Sequence, residues 1–140
     1  LQARPNPPRS ASAEATDWRG SGTVLVVDDE VVMRVVAARM LERMGFRVLL
    51  ADDGLQAVER FCAEGENIRA VLLDLTMPHL DGEGTFRELR QLRADLPVVL
   101  MSGYNEQEAI RGFLGLGLAG FLQKPFTAAD LGARMREILS

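Results

Sequence analysis

Four polar groups close apolar runs in this chain, and their residue types suit one chemistry. Asp28-Asp29-Glu30 follows Val24–Val27, and Asp74 follows Ala70–Leu73. Ser102-Gly103 follows Val98–Met101, and Gln123-Lys124-Pro125 follows Leu118–Leu122. Carboxylates brought together repel: at about 5 Å and an effective dielectric near 20, each pair costs roughly 3 kcal/mol. Such a cluster is relieved by protonation or by a cation held among the oxygens. Oxygen ligands alone favour a hard ion, and Mg²⁺ suits a site that also accepts phosphate. Lys124 and the Ser102 hydroxyl then have a use, because both can hold the oxygens of a phosphoryl group built on a carboxylate. Asp74 stands between the metal ligands and these two groups and is the expected nucleophile.

The elements that must position these residues are legible in the apolar pattern. Val24–Val27, Val48–Leu50, Ala70–Leu73, Val98–Met101 and Leu118–Leu122 are short runs rather than alternations, which predicts strands covered on both faces. Helical spacing separates them. Met33, Val36, Ala37, Met40, Leu41 and Met44 form one stripe, and Leu55, Val58 and Phe61/Cys62 a second. Phe86, Leu89 and Leu92 form a third, and Leu131, Met135, Ile138 and Leu139 the last. Gly45 stands where a helix C-cap belongs, Asp53 and Thr127 where N-caps belong. Strands alternating with helices predict a doubly wound α/β parallel sheet. With strand order 2-1-3-4-5 the topological switch point lies between the first and third strands, which sets Asp28 and Asp29 beside Asp74 at the carboxyl ends. Residues 1–22, with Pro5, Pro7 and Pro8 and little to bury besides Trp18, read as a linker or tail, leaving 23–140 as the domain.

Composition bounds the function. The 140 residues are 47% hydrophobic and 26% charged, a globular balance, with a net charge of −4 that argues against a nucleic-acid grip. One cysteine excludes an internal disulfide framework. No apolar run approaches a membrane span, so neither nucleic acid nor membrane is expected as a partner of this domain.

The quoted segments, in order and at their spacing, resemble the receiver domain of two-component response regulators. The resemblance rests on Val24–Glu30, Leu72-Leu73-Asp74-Leu75-Thr76-Met77-Pro78, Met101-Ser102-Gly103 and Lys124-Pro125-Phe126, and covers about residues 22–140. It implies a flavodoxin-like (βα)5 fold and Asp74 as phosphoacceptor. It implies Asp29, Asp74 and the Thr76 backbone carbonyl as Mg²⁺ ligands, with Asp28 assisting through water. Ser102 and Lys124 would bind the phosphoryl oxygens, and Phe121 would be a switch aromatic moving with Ser102. Lys124–Pro125 matches a peptide bond that is usually cis in the family. The implied reaction moves a phosphoryl group from the phosphohistidine of a histidine kinase or histidine phosphotransfer domain to Asp74. The result switches the face formed by the fourth helix, fifth strand and fifth helix. On this reading the domain is a phosphorylation-operated switch rather than an enzyme with a diffusing substrate.

Competing readings attach to several residues. Asp28-Asp29 could cap the first helix. Cys62, on an apolar stripe, is expected in the core, and His79 is expected to be a solvated loop residue. Asp52-Asp53 and Asp81-Gly82 read as caps or turns. Gly115-Leu116-Gly117-Leu118-Ala119-Gly120 matches a dinucleotide fingerprint by letters but closes a helix and opens a strand, the reverse of what the fingerprint needs. Gly112 and Gly115 predict a short or marginal fourth helix. By resemblance, Thr76 and Tyr104 would gate the water that hydrolyses the acyl phosphate.

Leu1 is not an initiator Met, and the chain ends at Ser140, just after the last helical stripe. With the tail, this favours a cytoplasmic receiver at the end of a hybrid sensor histidine kinase, whose parent chain could be membrane-anchored. A stand-alone or transcription-regulator receiver and a phosphorylation-independent interaction module are the alternatives. A homodimer is left open. An aspartyl phosphatase fits less well, since it wants an acid at Thr76. A flavin binder also fits less well, since the acids would repel its phosphate.

Overall fold

Each of the five apolar runs lies within or overlaps a strand, the last starting at Gly120 rather than Leu118, and all the strands pair in parallel. The structure, a computed structural model, describes residues 19–75, 82–103 and 118–139. In chain order these are β1 (Thr23–Val27), α1 (Val31–Arg43), β2 (Arg47–Ala51), α2 (Gly54–Glu64), a 3-10 turn (Gly65–Asn67) and β3 (Ile68–Asp74), then α3 (Gly82–Leu92), β4 (Val98–Ser102), β5 (Gly120–Gln123) and α4 (Ala128–Leu139). The sheet order is β2-β1-β3-β4-β5, the doubly wound order expected. The helix expected between β4 and β5, with Tyr104, Gly112 and Gly115, lies outside the described residues. So do Trp18, Thr76, His79 and Asp81.

Both sheet faces are covered, as the unbroken apolar strands require. On one face Leu25, Val27, Val71, Leu73, Val98 and Leu100 pack with Ala57, Phe61, Phe86 and Leu89 of α2 and α3. On the other, Val24, Val26, Ala70, Leu72, Val99 and Met101 pack with Ala37, Leu41, Leu131 and Met135 of α1 and α4. Each fully buried Leu contributes about 1.5–3 kcal/mol, well above any exposed ion pair, so burial places the helices.

The caps match the sequence. Gly45 has φ +108°, and Gly45 N and Phe46 N donate to the carbonyls of Glu42 and Leu41, a Schellman closure of α1. Asp53 Oδ1 accepts the Gln56 N–H at 2.8 Å. Thr127 and Asp130 form a reciprocal box: Asp130 N donates to Thr127 Oγ1 and Thr127 N to Asp130 Oδ2, each at 3.0 Å. The Thr127 N–H bond holds the Asp130 carboxyl below its ordinary range.

Three stripes differ from expectation. Cys62 is exposed, not core; α2 buries Gly54, Ala57 and Phe61 instead, and Leu55 is 54% exposed. The small Gly54 and Ala57 let the helix approach the sheet, which turns Leu55 and Cys62 outward. Leu92, at the end of α3, is 49% exposed. On α1, Ala38 is buried and Val36 is not. Val31, Val32, Val35 and Val36 are 61%, 76%, 38% and 38% exposed, an apolar strip that no described element covers.

Candidate functional site

The carboxyl ends of β1, β3 and β4 and the segment after β5 carry the polar residues, and register brings them together. Asp28 extends β1, its N–H donating to Ala51 O at 3.1 Å. Asp74 ends β3 opposite Met101. Ser102 ends β4 opposite Gln123. Lys124 N donates to Ser102 O at 2.7 Å, which fixes the lysine backbone beside β4. The Lys124–Pro125 bond is cis.

Strand alternation assigns faces. Asp28 and Asp74 continue the Val26 and Leu72 face, toward α1 and α4. Ser102 continues the Leu100 face, and Phe121, half-buried, packs against that same core. Ser102 and Phe121 thus share a face, the geometry a coupled movement would need.

Oxygens of Asp28, Asp29 and Asp74 lie within 4.8 Å of one another, with Asp28 and Asp74 buried and Asp29 exposed. Lys124 Nζ sits among the acids: 2.9 Å from Asp28 Oδ2, 3.1 Å from Asp74 Oδ1 and 3.4 Å from Glu30 Oε1. Burial, then the neighbouring Asp28 charge, pushes the Asp74 carboxyl up from 3.8 to about 6, although Lys124 acts in the opposite direction. Burial acts to lower the Lys124 ammonium pKa, but bonds and charge from Asp28 and Asp74 more than offset it and hold it above its ordinary range. Asp74 is therefore ionised at neutral pH but poorly stabilised as an anion, the condition of a carboxylate nucleophile.

Capping does not account for the acids. The N-cap of α1 is Glu30, which makes no side-chain cap bond. Asp28 Oδ1 instead accepts the Glu30 N–H at 2.9 Å, and Asp28 O accepts Arg34 Nη1 at 2.6 Å. Asp28 Oδ2 is buried without a hydrogen bond of good geometry, its close neighbour being the Lys124 ammonium. A buried carboxylate oxygen faced by an ammonium, within an all-oxygen trio, fits a hard divalent cation. Asp28, Asp29 and Asp74 are the residues that would hold it, and the Thr76 carbonyl lies outside the described residues.

Two residues near the site went unassigned in the sequence. Glu30 touches Lys124, and Arg34 anchors the Asp28 backbone. For Arg34 the available signal was its place one helical turn after the acidic run, which turns it back toward that loop.

A family model described as response regulator receiver domain matches residues 24–136. The chain belongs to the response regulator receiver family. This receiver is 36% identical over 126 residues to the sensor kinase CckA of Brucella abortus (strain 2308), covering 90% of the chain and 13% of that protein. It is 38% identical over 117 residues to the response regulator MprA of Mycobacterium ulcerans (strain Agy99), covering 83% of the chain and 49% of MprA. Among solved structures it matches the receiver domain of the hybrid histidine kinase CckA with TM-score 0.72 and 32% identity, covering 85% of this chain and 100% of that one. The chemotaxis protein CheY4 of Vibrio cholerae matches with TM-score 0.79 at 23% identity over 86% of this chain and 100% of its own, and shows the shared flavodoxin-like fold. The receiver thus spans about an eighth of the CckA kinase and about half of the regulator it matches.

Proposed function

We propose that this receiver takes a phosphoryl group from a phosphohistidine onto Asp74 in a Mg²⁺-dependent reaction. The observation that carries the reading is the convergence, at the carboxyl ends of the strands, of Asp74, Asp28, Asp29 and Lys124 from separate segments, with the buried Asp28 Oδ2 facing the ammonium. An Asp74 carboxylate oxygen attacks phosphorus, the P–N bond to the donor imidazole breaks, and the histidine leaves with the bond's electron pair. Mg²⁺, when bound, neutralises charge on the phosphoryl oxygens. Lys124 holds another phosphoryl oxygen, passing from Asp74 as its carboxylate becomes the acyl phosphate. Ser102 contacts the same group, and Phe121 follows it on the shared face. The readout surface would then comprise β5, α4 and the segment between β4 and β5. Hydrolysis of the acyl phosphate resets the switch, so the domain serves as a signalling element rather than an enzyme in the usual sense.

The partner is a histidine kinase or histidine phosphotransfer domain. The strip Val31, Val32, Val35 and Val36 begins one turn from the acids and offers an apolar helix face to it. Residues 1–22 serve as the connecting tail, and no nucleic acid or membrane is engaged by the domain, which works in the cytoplasm. Among the described residues no helix is long and apolar enough to cross a membrane. A hybrid histidine kinase is the proposed parent, supported by the 126-residue match to CckA. The 38% identity to MprA favours, as a second reading, a separate response regulator. Incubation with a small-molecule phosphodonor and Mg²⁺, followed by intact mass, tests the chemistry. A phosphoryl adduct absent without Mg²⁺ and absent in Asp74→Asn is expected. No adduct on the wild type would leave the interaction-module reading.

A further inference from the structure

Lys124 carries three N–H bonds and faces three carboxylates, and one of them has no role in the chemistry above. Asp28 and Asp74 are buried, with side chains 0% and 9% exposed, whereas Glu30 is 67% exposed and stands at the mouth of the site. Glu30 makes no side-chain cap to α1, so its carboxylate is not engaged in closing the helix on which it sits. Its backbone is fixed by its N–H bond to Asp28 Oδ1 and by its carbonyl, which accepts Arg34 N at 3.0 Å. A fixed backbone beside a 15%-exposed ammonium gives a short, directed reach from Glu30 Oε1 to Lys124 Nζ.

We propose that Glu30 is a positioning residue for Lys124, holding the ammonium toward the mouth of the crevice and sharing it with Asp74. Without Glu30 the ammonium keeps as partners, among the described residues, only the two buried acids it already contacts at 2.9 and 3.1 Å. Two effects then act in the same direction. An ammonium shared by two carboxylates rather than three competes more strongly with a divalent cation for the same oxygens, and the site loses one negative charge. At several Å and near-water screening, the lost charge alone weakens divalent-cation binding about two- to threefold. The acceptor is also more fully neutralised and attacks more slowly. Glu30 thus sets how readily Lys124 leaves Asp74 for an incoming phosphoryl oxygen. The inference deepens the phosphoacceptor reading and rests on it for its kinetic consequence.

The chain supplies its own probe, because Lys124 is the only lysine among its sixteen cationic residues. Labelling with ¹³C,¹⁵N-lysine gives one side-chain Cε/Nζ signal. That signal is compared, metal-free, in the wild type, Glu30→Gln and Glu30→Asp. A shifted signal in Glu30→Gln, an intermediate one in Glu30→Asp and a fall of about three- to tenfold in Mg²⁺-dependent adduct formation support the proposal. An unmoved Lys124 signal in Glu30→Gln overturns it, as does a moved signal with an unchanged rate of adduct formation. Absence of any adduct on the wild type removes the phosphoacceptor reading itself, a result distinct from either outcome in the variants.

Discussion

Replacing Asp74 by Asn should stabilise the metal-free receiver at neutral pH. Asp74 is an acid whose native pKa is raised, from 3.8 to about 6, chiefly by burial and then by Asp28. The native state therefore holds this proton more tightly than the unfolded chain does. The stability associated with that proton is complete below 3.8 and is lost as pH rises through about 6. At 1.36 kcal/mol per pH unit, ionised Asp74 costs the fold about 3 kcal/mol at pH 7.5. Its side chain is 9% exposed, so little of that is screened by solvent. Asn keeps the shape and an oxygen for Lys124 while removing the charge. A gain of about 2–3 kcal/mol is expected, or roughly 5–10 °C in Tm for a domain of this size. At pH 4.5 native Asp74 is mostly protonated, and the gain should shrink to about one third. Thermal unfolding followed by circular dichroism in EDTA, at both pH values, measures it. An Asn variant no more stable than the wild type at pH 7.5, or a gain that grows toward acid, would refute the argument that the acceptor carries unrelieved charge.

Three further outcomes are expected. Thr127→Ala removes one half of the α4 capping box and should cost about 1 kcal/mol in urea unfolding. Gly45→Ala meets both a φ of +108° and a Gly20 O placed 2.7 Å from the added Cβ, and should cost about 2 kcal/mol or more in the same assay. Val32→Glu, at a position 76% exposed, should change stability by less than about 0.5 kcal/mol and leave labelling by a small phosphodonor intact. Transfer from a phosphorylated histidine phosphotransfer domain should nonetheless fall about tenfold or more in that variant, read as the rate of label transfer.

The strands were legible because a strand covered on both faces leaves an unbroken apolar run, and each run here lies within or overlaps a strand. Asp28, Asp74 and Lys124 were legible because each ends or follows a buried run, where a charge is costly without a purpose. Helix rotation was less legible. Val36 and Leu55 have apolar side chains at helical spacing, yet Ala38, Gly54 and Ala57 face the sheet. Small residues carry almost no periodic hydrophobic signal, but they permit the closest approach. Cys62 was misplaced for the same reason. Glu30 escaped notice because its part depends on a lysine 94 positions away, and no local pattern encodes that pairing.

The way the chain enters the domain has a mechanical consequence. Gly20 N donates to Met44 O at 2.8 Å, and Arg19 Nη1 to Arg43 O at 2.9 Å, so the strand lead-in is clasped to the C-terminus of α1. The acidic loop begins at the other end of that helix, about 20 Å away at 1.5 Å per residue. Load applied upstream of Arg19 is therefore borne by the clasp and by the first residues of β1, as shear along hydrogen bonds, rather than at the crevice. A fluorophore, bead or surface tether joined there would leave the mouth of the acceptor site clear for a docking partner.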